Sequence, residues 1–128
     1  MTLNELSRIV VDAAFEVRKT LGVGLLESAY EAALECELHA RDVAVRRQVP
    51  VFMNYKGTDI GEGYRIDLLV DDRLIVECKA TEVNKPVYAA QCLTYLRAAQ
   101  LSLGLVINFG VPLFKNGIER VVNNFTEF

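Results

Sequence analysis

Histidine occurs once in the 128 residues, at His39, and the three cysteines, Cys36, Cys78 and Cys92, are odd in number and never spaced as CxxC. That supply is too poor for a zinc site, and it suits a reducing compartment, so a cytoplasmic location is expected. The chain also lacks a Pro-, Gly- or Ser-rich linker, an internal repeat and any low-complexity stretch. One domain over residues 1–128 is therefore expected. No apolar run approaches the roughly 20 residues that span a bilayer, which leaves no expected membrane partner. The opening MTLNELSRIVVDAAFEVRKTLG has acidic residues within its apolar pattern and no basic start before an uninterrupted apolar stretch. It reads as mature protein and not as a secretory signal. Basic excess is missing too: 14 Lys and Arg face 17 Asp and Glu, a net charge of −3. This argues against a broad basic face that coats nucleic acid, because such affinity comes from cations neutralising phosphates. A local groove stays open, and carboxylates gathered around metal ions would add negative charge of their own.

What the chain does have is apolar residues, 52% of the total, enough for one sizeable core. Leu6, Ile9, Val10, Ala13, Phe15 and Val17 recur at helical spacing, so residues 4–20 read as a helix capped by Thr2 or Asn4 and stopped by Gly22. After turns at Gly22 and Gly24, Leu26, Ala29, Tyr30, Ala33, Leu34 and Leu38 mark a second amphipathic helix. From Val45 to Tyr55 the period falls towards two, a strand, with a turn at Lys56-Gly57. Strands over Ile60–Val70 and Arg73–Ala80 then form a hairpin about Asp71-Asp72. Asn84 and Pro86 open a helix to about Ala99, LSLGLVINFG is a buried strand, VPLFKNG and IERVV make a last hairpin on Asn116-Gly117, and NNFTEF frays. The order α-α-β-β-β-α-β-β implies an α/β fold, a mixed sheet flanked by helices. The crossover from the third strand to LGLVINF is a βαβ unit, so those two strands should run parallel.

Asp67 in YRIDLLV and Glu77 and Lys79 in LIVECKA lie on two strands that a short turn sets side by side. A two-residue turn brings Val70 opposite Arg73 and Asp67 roughly opposite Val76, hence diagonal to Glu77. Glu77 and Lys79 share a face because strand side chains alternate. Two like unit charges about 4 Å apart repel by roughly 4 kcal/mol at an effective dielectric near 20, a conflict that a divalent cation removes. Oxygen ligands of this kind suit Mg²⁺ or Mn²⁺. Such an ion polarises a phosphoryl oxygen and acidifies water, while Lys79 orients that water or stabilises the developing charge.

Asp67, then Glu77-Cys78-Lys79, then Gln91-Cys92-Leu93-Thr94-Tyr95 on the next helix resembles the D…ExK…QxxxY series of RecB-like and lambda-exonuclease-like members of the PD-(D/E)xK nuclease superfamily. GLLESAY at 24–30, YKG at 55–57, AQCLTYL at 90–96 and GLVINFG at 104–110 are similar to the small GxxExxY family within it, over nearly the whole chain. The resemblance implies a restriction-endonuclease-like core and a metal-dependent nuclease acting on nucleic acid, DNA ahead of RNA. It implies that Glu27, Asp67, Glu77 and the backbone carbonyl of Cys78 hold the metal and that Lys79 is the catalytic lysine. Ile66 stands where the superfamily's name has Pro, a departure that many members share.

Each of these residues also has an ordinary reading. Asp67 and the ExK triplet match solvated strand edges when taken alone. Glu27 suits a helix dipole, and Tyr30, three residues on, is either a substrate contact or core packing. Gln91 and Tyr95, four apart, face one way and suit substrate positioning, or else a buried amide and a core tyrosine. Arg46, Arg47, Arg65, Arg73 and Lys85, with Gln48 among them, are either a local basic groove or protective edge charges. Cys78, between two site residues, should point to the opposite face and pack in the core. A homodimer is expected, since a two-fold axis gives so small a domain two sites for two strands. The rival function is a nuclease fold that binds nucleic acid or protein without cleaving.

Overall fold

The computed structural model describes residues 1–125. Helix α1 runs Leu3–Leu21, and its start is a capping box: the Thr2 hydroxyl accepts from the Glu5 N–H while the Glu5 carboxylate accepts from the Thr2 N–H. Gly22 ends it at φ 69° with its N–H on the Arg18 carbonyl. Helix α2 follows over Glu27–Ala40, then strands β1 Val45–Tyr55, β2 Thr58–Val70 and β3 Leu74–Lys79, helix α3 Pro86–Ala99, and strands β4 Leu103–Asn108 and β5 Ile118–Val122. The order is the expected one, and β2 begins two residues earlier than its apolar pattern suggests because the Lys56-Gly57 turn starts pairing at once, Tyr55 with Thr58. No helix among the described residues is long and apolar enough to cross a membrane.

The five strands form one sheet in chain order, antiparallel except for the parallel pair β3–β4. Its strand-to-strand ladder buries two faces. On one, Leu6, Val10, Ala13, Val17, Tyr30, Leu34 and Leu38 of α1 and α2 meet Leu68, Val70, Leu74, Val76 and Cys78. On the other, Tyr88, Cys92 and Leu96 of α3 meet Ile66, Leu69, Ile75 and Val106. This is the expected mixed sheet between helical layers, and β3 and β4, covered on both faces, read as near-continuous apolar runs for that reason.

The hairpin expected between VPLFKNG and IERVV does not form. Phe114–Gly117 is instead a single 3-10 turn, and β5 pairs antiparallel with β4. Phe114 is buried against Phe15 and Phe109, at ring-centroid distances of 4.9 Å and 5.3 Å, which pulls the segment across the end of the sheet. Of the NNFTEF tail, Asn123 is tied to the Leu101 and Ser102 carbonyls, and 126–128 lie outside the described residues.

The far end of β3 is fixed by one fully buried amide. Asn108, paired with Lys79 across β3–β4, accepts from the Thr81 and Gly110 N–H groups and donates to Thr81 Oγ1, the Val83 carbonyl and Asn84 Oδ1, all within 3.0–3.3 Å. Removing one partner of a buried polar network leaves the others unpaired, at a few kcal/mol in total. Asn108→Ala is therefore expected to lower unfolding free energy by about 3 kcal/mol in urea denaturation, a larger loss than truncation of the exposed Asn54.

Candidate active site

The β2–β3 ladder pairs Val70 with Leu74, Leu69 with Ile75 and Leu68 with Val76, and there it stops. One step further the strands are joined by side chains: the Asp67 N–H donates to Glu77 Oε2 at 2.9 Å and the Cys78 N–H donates to Asp67 Oδ2 at 2.8 Å. The two carboxylates thus stand directly across from each other, which corrects the diagonal placement expected from a two-residue turn. Asp71 and Asp72, at φ 53° and 54°, do form the turn, closed by the Arg73 N–H on the Val70 carbonyl. Arg73 is then left over as an extra residue before pairing begins at Leu74, and this single insertion shifts the register.

Burial and charge act together on this pair. Glu77 is 4% exposed, and burial, then the charge of Asp67, raises its carboxyl to about 8 against the relief given by the Asp67 N–H and Lys79. Burial likewise lifts Asp67 to about 6, opposed first by the Cys78 N–H, with Glu31 and Glu27 adding to the rise and Lys79 lowering it. Lys79 lies two residues beyond Glu77 with its Nζ 5.0 Å from the Tyr88 ring centroid, on the α3 side of the sheet. The pair therefore holds its protons more tightly than free carboxyls do, with the Lys79 amine acting against that rise.

The family model of the PD-(D/E)XK nuclease superfamily matches residues 4–121. The chain belongs to that superfamily. No curated protein and no solved structure matches it significantly.

For a superfamily site, the donor set suits a hard divalent cation. Each carboxylate gives one oxygen to a backbone N–H: among the described residues Glu77 Oε1 takes no hydrogen bond, and Asp67 Oδ1 takes a long one, 3.5 Å, from Gln48 Nε2. Among the described residues no group of three or more His, Cys, Asp or Glu side chains gathers as a ready-made cage. Two carboxylates completed by water and substrate oxygens is the set that Mg²⁺ commonly takes.

The other expected residues separate into two groups. Glu27, the exposed first residue of α2, is near enough to act on Asp67 through its charge. Cys78 packs its thiol wholly in the core, as its alternation requires. Tyr95 is half-buried, stacked on Tyr64 at 3.9 Å, and its phenol is raised by burial and then by Glu77 and Asp67. Gln91, one turn before it on α3, is exposed. Tyr30 does not join them. It is fully buried, stacked on Phe109, and its hydroxyl donates to the Gly22 carbonyl at 2.6 Å while accepting from the Leu25 N–H. This tyrosine therefore shapes the loop that delivers Glu27 and has no hydroxyl to offer a substrate.

The arginines also differ from expectation. Arg46 is paired with Asp72, Arg47 with Glu31, Arg65 with Glu62 and Arg73 with Asp71, so of the five expected groove cations only Lys85 has no ion pair among the described residues. Three site residues were not foreseen. Glu31, 4% exposed, holds Arg47 Nε and Gln48 Nε2 on one oxygen, each at 2.8 Å. It follows Glu27 by four residues, which is the signal that would have placed it on the same helix face. Tyr64 and Asn108 gave only weak signals, an aromatic beside Asp67 and a polar residue inside the run GLVINFG. A cleft of 680 Å³, lined in part by Leu25, Ala80, Val83 and Gly110, opens between the loop before Glu27 and the residue after Lys79.

The raised carboxyls fix a pH dependence. Groups that hold their protons more tightly when folded stabilise the fold fully below their ordinary values of about 4, and that contribution is lost as pH rises through the folded values. With those at about 6 and about 8, the metal-free protein is expected to melt progressively lower from about pH 5 to about pH 8.5. Glu77→Gln, neutral throughout, should flatten most of that slope in thermal melts followed by circular dichroism. A slope that survives the substitution would trace it to a group other than Glu77.

Proposed function

We propose that the protein is a Mg²⁺- or Mn²⁺-dependent nuclease of the GxxExxY type that hydrolyses phosphodiester bonds in DNA, ahead of RNA. The observation that carries the reading is the buried Asp67–Glu77 pair, each carboxylate accepting a backbone N–H of the opposite strand, with Lys79 two residues on, in a chain of the nuclease superfamily. Asp67, Glu77 and the Cys78 carbonyl, with Glu27 from α2, are the residues that would hold the cation. When bound, the ion supplies Lewis-acid polarisation of the phosphoryl oxygen and acidifies water. Lys79 stabilises negative charge as it develops on the phosphoryl group. Gln91 and the Tyr64–Tyr95 stack, on the same side of the sheet, bear on the substrate's flanking nucleotide. A two-fold dimer would bring one such site to each strand of a duplex.

The arginine pairs favour the second reading, a nuclease fold that binds without cleaving, because cations already neutralised by carboxylates contribute little phosphate affinity. Cleavage assays separate the two. With Mn²⁺, wild type is expected to cut DNA oligonucleotides, and Glu77→Ala and Lys79→Ala to lose at least about a hundredfold. Equal residual cleavage by all three would mark a contaminant and end the enzymatic reading; binding with no cleavage under either metal would establish the silent module.

Metal binding has its own readout. A ligand that binds only the folded state adds RT ln(1 + [L]/Kd), about 2.7 kcal/mol at one hundred times Kd. Mn²⁺ should raise the melting temperature of wild type, and Asp67→Asn should lose most of that gain without being less stable when metal-free. Lys79→Met should weaken the metal-free protein and keep most of the gain. Equal gains in wild type and Asp67→Asn would place the ion elsewhere.

A further inference from the structure

Gln48 sits in the middle of β1 at φ 55°, a left-handed conformation that side chains other than glycine seldom adopt within a strand. The β1–β2 ladder breaks at the same point: Arg47 pairs with Leu68 and Val49 with Ile66, while Gln48 and Asp67 between them form no pair. The side chain that this local turn delivers is an amide reaching two acids. Its Nε2 lies 2.8 Å from Glu31 Oε1 and 3.5 Å from Asp67 Oδ1. Glu31 is itself fixed, buried and held by Arg47 Nε at 2.8 Å. Both neighbours are acceptors when ionised, so the amide has one satisfactory orientation, its NH₂ towards them. Glycine would take this backbone conformation freely, so the turn alone does not account for an amide here.

We infer that Gln48 is a positioning residue of the carboxylate site, its Glu31-anchored amide holding Asp67 Oδ1 at the bearing from which that oxygen binds a divalent cation. The inference rests on the metal-dependent reading above. At 3.5 Å the amide steers Oδ1 and does not compete for it, since a hydrogen bond that long is weak, whereas the 2.8 Å bond to Glu31 keeps the amide in place. The relay therefore links α2, β1 and β2 before any ion arrives.

The test is Mn²⁺ binding by titration calorimetry, together with metal-free melting temperatures, for wild type, Gln48→Gly and Gln48→Met, with Asp67→Asn as reference. Both Gln48 variants remove the amide, but only the glycine variant relieves the backbone. Mn²⁺ affinity is expected to fall about tenfold in both, as for other outer-shell partners of metal ligands, while Gln48→Gly melts higher than Gln48→Met. Unchanged affinity in both variants overturns the proposal, and so does a loss confined to one, which would trace it to backbone loosening or to methionine bulk. If wild type binds Mn²⁺ no better than Asp67→Asn, the metal reading has failed first and the role of Gln48 falls with it.

Discussion

An antiparallel ladder normally holds itself together by backbone N–H groups meeting backbone carbonyls. Where β2 and β3 part, this domain substitutes carboxylates for carbonyls: Glu77 takes the N–H of Asp67, and Asp67 takes the N–H of Cys78. The exchange closes the sheet at the point where ordinary pairing ends, and it determines most of what surrounds it. Each acid is fastened to the strand of the other, so their mutual repulsion cannot be relieved by either one swinging out to solvent. Protonation is a route that remains, and it is the one that the raised carboxyls record. The electrostatic tension of the site follows from strand mechanics.

Much of the remaining structure keeps that clasp in register. Asn108 fastens the loop beyond Lys79 to the end of β4, and the Phe109 N–H holds the Lys79 carbonyl at 2.7 Å. Tyr30 closes the loop between the first two helices so that α2 begins at Glu27, and the Glu31–Arg47 pair seats α2 on the edge strand. The two hydrophobic clusters then press on β3 from either face, so the strand bearing two of the three central residues is confined on both sides. Burial on both sides is also what raises the carboxyls, and rigidity and electrostatic tension share one cause.

The elements were legible because their hydrophobic periods are strong: β1 spans the Val45–Tyr55 expected of its alternation, and α3 ends at the expected Ala99. The parallel β3–β4 pair followed from the crossover. Register was not legible, because it depended on whether Arg73 entered the ladder or bulged from it, and the turn residues Asp71 and Asp72 are compatible with both. VPLFKNG looked like a strand because Val111, Leu113 and Phe114 alternate with other residues, yet the packing of Phe114 on Phe15 and Phe109 outweighed that pattern. Tyr30 follows Glu27 by three residues on the same helix, but sequence carries no sign of which way a tyrosine's hydroxyl turns once the ring is buried. Glu31 was missed for the opposite reason: glutamate on a helix suggests solvent, and its burial is compensated only by the arriving Arg47 and Gln48.

The ladder that ends at Leu68 and Val76 leaves β1 and β2 to continue as a two-stranded ribbon. Tyr64, stacked on Tyr95, ties its base to α3, while Phe52, Tyr55 and Ile60 stay exposed further out. A ribbon without a third strand has few ways to bury apolar area, so its tip is expected to open at lower free energy than the five-stranded body. Asp67 lies at the seam between ribbon and body. The carboxylate clasp that fastens β2 to β3 therefore also anchors the base of the ribbon to the rest of the sheet.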